Sequence, residues 1–379
     1  MKRNIVISLV SDQTIPNVLL LKNLPQQDLY FFVSTKKMEH QRRTHWIIQS
    51  CNISENKSVT IEVIEDSLID ITKKLSALSI TNSDRLIVNL TGGTKMMSLA
   101  AYNFLKSNFS DVSFFYKSIT QYEYFDVDKE THTQKITLQL SVPEYLKAYG
   151  IACKEKQPKH TFEYSESLFQ NFINRRIDEF IIGSLRVHYR GTKKSLSIEE
   201  ISNFTEETES DKGKRIENLN EFLTSINYPF AEKGKLNKKD IEYLTGGWFE
   251  EYVFHKLKLY YPKADIRIGV NLIKGEQSND NDLDVALCFQ DQLYVIECKT
   301  SLLIDGKYTQ LLNEAVYKAS AINKNFGLKV KSYLFTLYDF QSNLNSSIEK
   351  AKVLGIVLND ISTIVDESSF KNLIQNHAS

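Results

Sequence analysis

The sequence predicts two α/β units in one chain: a doubly wound, mainly parallel sheet in the first part and a smaller mixed sheet in the last third. Three observations predict this. Short runs nearly continuous in Val, Ile, Leu and Phe alternate with helical periods from residue 4 to about 118. A second series, in the order helix, three strands, helix, strand, begins at Trp248. The length, 379 residues, also exceeds what one ordinary core holds.

In chain order, the first strands are Ile5 to Val10, Leu29 to Val33, Val59 to Ile64, Leu86 to Leu90 and Val112 to Tyr116. Helical stretches such as Met38 to Gln49, Leu68 to Leu78 and Lys95 to Leu105 lie between them. Strands apolar on both faces need cover on both sides, so residues 1–150 read as a Rossmann-like doubly wound domain. Residues 119–142 extend its sheet by a hairpin, Gln121 to Val127 and Lys135 to Val142 around Asp128-Lys129-Glu130. Pro158 and the alternating charges of Lys154 to His160 place a linker over 151–165. A helical period from Phe162 to Phe180, a polar tract and renewed apolar spacing from Glu221 predict a helical or winged-helix-like connector over 166–240. Its Arg175, Arg176, Arg186, Arg190, Lys193 and Lys194 could make phosphate contacts, although a solvated charged face is the more common reading of such a cluster. The last unit, 241–379, reads as a helix at 248–261, strands at 265–274, 284–289 and 293–299, a helix at 307–323 and a strand at 329–337.

Composition narrows the function classes. With 47 basic and 47 acidic residues the chain is no general nucleic-acid wrapper, so any substrate groove is local. Cys51, Cys153, Cys288 and Cys298 have neither metal-ligand spacing nor disulfide density, which fits a reducing cytoplasm. The seven histidines give no zinc signature, and neither a signal peptide nor a stretch long enough to span a bilayer is expected.

The chemistry concentrates near the end. Asp284 precedes Glu297-Cys298-Lys299 in two apolar runs joined by the turn Gln290-Asp291-Gln292. Alternation puts Glu297 and Lys299 on one strand face and Ile296 and Cys298 on the other. Pairing Gln290 with Leu293 would set Asp284 across from Lys299, so two carboxylates and an ammonium converge. Carboxylate oxygens are hard ligands for Mg²⁺ or Mn²⁺, and an ammonium beside them can position water or stabilise charge at phosphorus. A surface hairpin with a solvated ion pair has the same letters. Upstream, Glu250 has Val253, Phe254 and Leu257 at its helical neighbours, whereas Glu251 has Phe254, His255 and Lys258. A carboxylate on the apolar side is costly unless paired or metal-bound, which makes Glu250 the candidate third acid and leaves Glu251 outside. Asp282 reads as solvated.

Two loops of the first sheet carry polar residues and glycine: Ser11-Asp12-Gln13 after strand one, and Thr91-Gly92-Gly93-Thr94-Lys95 after strand four. In doubly wound sheets ligands bind beyond the carboxyl ends of the strands. Glycines let backbone N–H groups approach an anion, and a helix amino end favours negative charge. A tight turn with glycines for packing alone is the competing reading. Neither a Walker loop nor the dinucleotide glycine pattern is present.

The helix-strand order with Glu250, Asp284, Glu297 and Lys299 resembles the PD-(D/E)XK restriction-endonuclease-like superfamily, although Leu283 stands where its signature has proline. With the Thr-Gly-Gly-Thr-Lys and Ser-Asp-Gln turns, the whole chain resembles the CARF-domain ancillary nucleases of type III CRISPR systems, the Card/Can group. The resemblance implies an N-terminal Rossmann-like CARF domain and a C-terminal PD-(D/E)XK domain. It implies a homodimer activated by a cyclic oligoadenylate, cyclic tetraadenylate first among them, bound by Ser11, Asp12, Gln13, Thr91, Gly92, Gly93, Thr94 and Lys95. It further implies Mg²⁺- or Mn²⁺-dependent cleavage of single-stranded DNA, RNA or both, with Asp284, Glu297 and Glu250 as metal ligands and Lys299 beside them. A ligand-responsive DNA-binding regulator and a ring nuclease that degrades the activator are the rival functions.

Overall fold

The computed structural model describes residues 2–118, 121–173, 234–274, 277–300, 308–323, 326–327, 330–339 and 345–372, with 185, 195–197, 223–224 and 227–228. Its first sheet holds β1 (Asn4–Leu9), β2 (Leu29–Thr35), β3 (Ser58–Val63), β4 (Arg85–Asn89), β5 (Val112–Lys117), β6 (Glu123–Asp126) and β7 (Lys129–Lys135). The order is β3-β2-β1-β4-β5-β6-β7, parallel through β5 and antiparallel beyond. The helices are α1 (Ile15–Asn23), α2 (Lys36–His40), α3 (Arg43–Ser50), α4 (Leu68–Ser76) and α5 (Lys95–Asn108). This is the Rossmann-like arrangement that the apolar runs predict.

Three local departures have physical causes. The helix expected over Met38 to Gln49 breaks into α2 and α3 because Arg42 takes a left-handed φ of 57°. The hairpin turns at Val127-Asp128, with Asp126 paired to Lys129, so its second strand starts six residues before the expected Lys135. The stretch expected as a linker contains β8 (Ala152–Lys156), after α6 (Val142–Lys147). This β8 pairs antiparallel with β11 and forms the edge of the second sheet, and its alternating charges are those of an exposed edge strand. Most of the connector expected over 166–240, including its arginines and lysines from Arg175 to Lys194, lies outside the described residues; α7 (Phe162–Ile173), β9 (Ser195–Ser197), β10 (Lys235–Asn237) and α8 (Lys238–Glu242) are seen.

The second unit has α9 (Trp248–Tyr260), β11 (Asp265–Lys274), β12 (Gln277–Phe289), β13 (Gln292–Lys299), α10 (Tyr308–Asn323), β14 (Val330–Thr336), α11 (Asn345–Val353), β15 (Ile356–Asn359), α12 (Ile361–Val365) and α13 (Glu367–Asn372). Its sheet runs β15-β14-β13-β12-β11-β8, with β13, β14 and β15 parallel and the rest antiparallel. One face packs on α9 through Tyr294, Ile296 and Cys298 against Trp248, Phe249, Tyr252 and Val253. On the other, Val270, Ala286, Cys288, Leu293 and Val295 share a core with Val18, Leu19, Tyr145 and Leu146 of the first domain. The two sheets are therefore joined by a common apolar layer and not by a flexible tether.

Candidate active site and ligand loops

Site geometry begins with the β12–β13 hairpin. Phe289 pairs with Gln292, and Val285 with Ile296, so the turn is Gln290-Asp291 alone, with Gln290 at a left-handed φ of 57°. Continuing that register sets Asp284 opposite Glu297, two residues from the expected Lys299. All three side chains still share a face, because the shift is an even number of residues. Asp284 Oδ2 accepts the backbone N–H of Cys298 at 2.8 Å, which fixes the carboxylate against the partner strand. Lys299 Nζ lies 2.6 Å from Glu297 Oε1 and 3.6 Å from Asp284 Oδ2, so the ammonium bridges the two acids.

Glu250 enters from the first turn of α9. Just before it, Tyr243–Gly247 forms a π-helical turn whose Thr245 carbonyl accepts the Thr300 hydroxyl at 2.8 Å. That bond docks the start of α9 against the end of β13. Burial, then the charge of Asp284, push the Glu250 carboxyl up to about 8, against the pull of Lys299. Asp284 is also raised by burial, with Lys299 opposing and Glu297 adding to the rise. Burial opposes ionisation of Glu297 as well, yet the ammonium groups of Lys299 and Lys318 hold it below the ordinary value. Burial likewise works against the charge on Lys299, but Asp284 and Glu297 raise it above the usual lysine range.

Glu251, expected outside, is buried: it accepts the backbone N–H groups of Lys159 and His160 and anchors the chain leading into α7. Asp282 is half-exposed and partnered, taking a hydrogen bond from Asn271 at 2.6 Å with Lys156 at 3.6 Å. Lys318, from the middle of α10, was invisible in the motif, since nothing in its neighbourhood on the chain points to strand β13. Its Nζ lies 3.0 and 3.1 Å from the two oxygens of Glu297.

Among the described residues, no three His, Cys, Asp or Glu side chains form a ready cage for a metal ion. The carboxylates nonetheless suit a hard divalent ion. Two of them, Glu250 and Asp284, are half-buried groups whose charged forms are disfavoured first by burial and further by neighbouring carboxylates, a cost that a bound cation relieves.

At the other sheet, both expected loops lie at the carboxyl ends of their strands and are tied together underneath. Asn17 donates to the Leu9 carbonyl at 2.9 Å and accepts from Asn89 at 2.7 Å, while Asn89 Oδ1 accepts the Thr91 N–H at 3.1 Å. This buried pair escaped the sequence reading, because its partners lie 72 positions apart. Gly92 sits where a Cβ would collide with the Leu9 carbonyl oxygen, and Gly93 has a φ of 73°. Packing thus demands both glycines whatever else they do. Thr94 caps α5, its hydroxyl accepting the Met97 N–H at 3.2 Å, and Lys95 is exposed beside it. In the first loop the Ser11 hydroxyl accepts the Gln13 N–H at 3.3 Å. Asp12 faces Arg43 at 3.6 Å and Lys37 at 3.9 Å, cations the sequence did not single out. Gln13 Oε1 is 3.5 Å from the Tyr149 hydroxyl.

Comparison with known proteins agrees with both halves. The family described as Card1 CARF domain matches residues 5–145, and that described as Card1-like, endonuclease domain matches residues 237–370; together they span more than half of the chain. Among solved structures the chain is similar to protein VC1899 from Vibrio cholerae, 16% identical with a TM-score of 0.78 over 98% of each chain. It is similar to Can2 from Sulfobacillus thermosulfidooxidans, solved with cyclic tetra-adenylate, at 21% identity and a TM-score of 0.73 over 98% of each chain. A type III CRISPR defence DNA nuclease activated by cyclic oligoadenylate is 14% identical with a TM-score of 0.53, over 92% of this chain and 52% of that one. The chain spans about half the length of that nuclease. At such identities the structural likeness carries the fold. No curated protein matches the chain. No helix among the described residues is long and apolar enough to cross a membrane. By its two matched domains the chain belongs to the CARF-domain ancillary nucleases of type III CRISPR systems, joining a Card1-type CARF domain to a Card1-like endonuclease domain.

Proposed function

We propose that the protein is a cyclic-oligoadenylate-activated, divalent-metal-dependent endonuclease that cuts single-stranded DNA, RNA or both. The observation that carries this is the convergence of Asp284, Glu297 and Lys299 at the end of one hairpin, with Glu250 delivered from α9. Glu250, Asp284 and Glu297 would hold Mg²⁺ or Mn²⁺. The ion, when bound, lowers the pKa of its water and offsets charge on the phosphate. Asp284 and Glu297 raise Lys299 above the usual lysine range, which favours a role in orienting water or stabilising the extra negative charge at phosphorus. Water adds to phosphorus and releases a proton to solvent, the bond to the leaving sugar oxygen breaks, and that oxygen takes a proton from solvent.

Activation rests on the first domain. A cyclic tetraadenylate has twofold symmetry, so two copies of one loop pair can each take half of it in a homodimer. Thr91 to Lys95 would receive phosphate at the start of α5, and Ser11 and Gln13 would meet ribose or base edges. Asp12 would act through Arg43, which it already pairs. Binding of Can2 to cyclic tetra-adenylate supports the ring of four.

The test is cleavage of labelled single-stranded DNA, RNA and plasmid with Mg²⁺ or Mn²⁺ across cyclic oligoadenylates of several ring sizes. Stimulation by the four-membered ring is expected; no stimulation by any ring removes the activator reading. Linear products from the activator without metal would favour a ring nuclease.

A further inference from the structure

Glu297 is held by two lysines that come from different elements, and their placement differs. Lys299 follows it on the same strand and also reaches Asp284 at 3.6 Å and the Cys298 carbonyl at 3.3 Å. Lys318 arrives from α10, across the sheet face. That helix packs through Leu312, Ala315 and Val316 on Leu334, and Leu334 is the β14 residue in register with Glu297. Lys318 therefore stands one helical turn from Ala315, on the side that overhangs the carboxylate. Its contacts within the site are the two oxygens of Glu297, at 3.0 and 3.1 Å.

The carboxylate itself is 5% exposed, and both of its oxygens face ammonium groups. A divalent ion cannot take an oxygen of Glu297 while two ammonium groups stay on it, because three like-charged centres would crowd one buried anion. One must withdraw. Lys299 is held by the strand and by Asp284. Both lysine side chains are 36% exposed, so exposure does not separate them; Lys318 differs in that its hydrogen bonds within the site go to Glu297, on a flexible four-carbon stem.

We propose that Lys318 is a positioning residue that acts as a stand-in cation: it occupies Glu297 in the metal-free protein and is displaced when the divalent ion binds. Lys318 thereby sets the metal affinity of the site and keeps Glu297 aimed in the meantime. The inference rests on the metal-site reading of Glu250, Asp284 and Glu297, and its test separates the two.

Mn²⁺ binding to the metal-stripped full-length protein is measured by calorimetry and by the loss of the free-ion EPR signal, with no substrate present. Lys318→Met keeps the stem and removes the charge; it should bind Mn²⁺ about tenfold more tightly than the unaltered chain. Lys318→Gln, a milder polar replacement, should shift affinity in the same direction and guards against misfolding of the first variant. Loss of packing alone would weaken or leave unchanged the affinity, so tighter binding is a readout that a merely structural role does not give. Unchanged or weaker binding in both folded variants overturns the proposal. Glu297→Gln is the separating control. If it binds Mn²⁺ as the unaltered chain does, the metal-site reading fails and the Lys318 proposal with it; if it loses binding while the Lys318 variants gain nothing, only the Lys318 proposal falls.

Discussion

Lys117 and Asp291 form an ion pair of 2.8 Å in which both side chains are almost entirely buried. Lys117 closes β5 of the first domain, and its backbone N–H donates to the hydroxyl oxygen of Thr91 in the glycine loop at 3.0 Å. Asp291 is one of the two turn residues of the hairpin that bears Asp284 and Glu297. From that turn to Glu297 is six residues of extended strand, about 20 Å. One bonded path therefore runs from the proposed activator loop to the proposed catalytic acids.

Breaking that pair should be costly. Lys117→Met leaves Asp291 buried without its main cation and is expected to destabilise the fold by about 3–5 kcal/mol in denaturant unfolding. The double variant Lys117→Met with Asp291→Leu should recover much of the loss, since a buried pair replaced by apolar groups is often neutral. No recovery would mean that the pair is not the relevant contact.

Stability without metal should fall as pH rises. The Glu250 carboxyl binds its proton more tightly folded than unfolded, so its contribution is full below about 4.5 and is lost as pH climbs through about 8. Asp284 acts with the same sign, and the lowered Glu297 acts oppositely but only at more acidic pH. The denaturation midpoint in EDTA, followed from pH 5 to 9, is expected to decline. Glu250→Gln should flatten that slope; an equally steep variant would disprove the assignment.

Cleavage should depend on the hairpin acids and not on the glycine loop for its chemistry. Glu297→Ala and Lys299→Ala are each expected to lower the activated rate about 10²-fold or more while activator binding is retained. Undiminished cutting by Glu297→Ala, with metal present, refutes the site.

Activator binding should respond to the other end. Lys95→Ala is expected to weaken cyclic tetraadenylate binding about tenfold, about 1.4 kcal/mol, with the unfolding midpoint unchanged because the side chain is exposed. Gly92→Ala should weaken binding further and also lower stability, since its methyl group has no space beside Leu9. Fluorescence anisotropy of a labelled ring reads both.

Much of this was legible in the chain because the signals were local. The apolar runs from Ile5 and Leu29 announce buried parallel strands, and alternation from Glu297 to Lys299 places two charged groups on one face whatever the turn. What the sequence hid was set by one turn conformation and by distant partners. The hairpin register depended on the left-handed Gln290, which shortens the turn to two residues. Glu251 looked outward on the helical wheel, yet backbone donors at Lys159 and His160 turn it inward. Lys154 to Lys156 looked like a solvated tether because an edge strand carries charges too. Lys318 and the Asn17–Asn89 pair have meaning only once helices and strands have come together.

The apolar layer shared by the two sheets bears on how the molecule comes apart. Leu293 and Val295 sit in that layer, and Glu297 and Lys299 follow on the same face of the same strand. Severing the halves would bare greasy surface on each, so neither is a detachable cartridge. Heating should melt them in a single transition, and a guanidine titration monitored in either half should trace one curve.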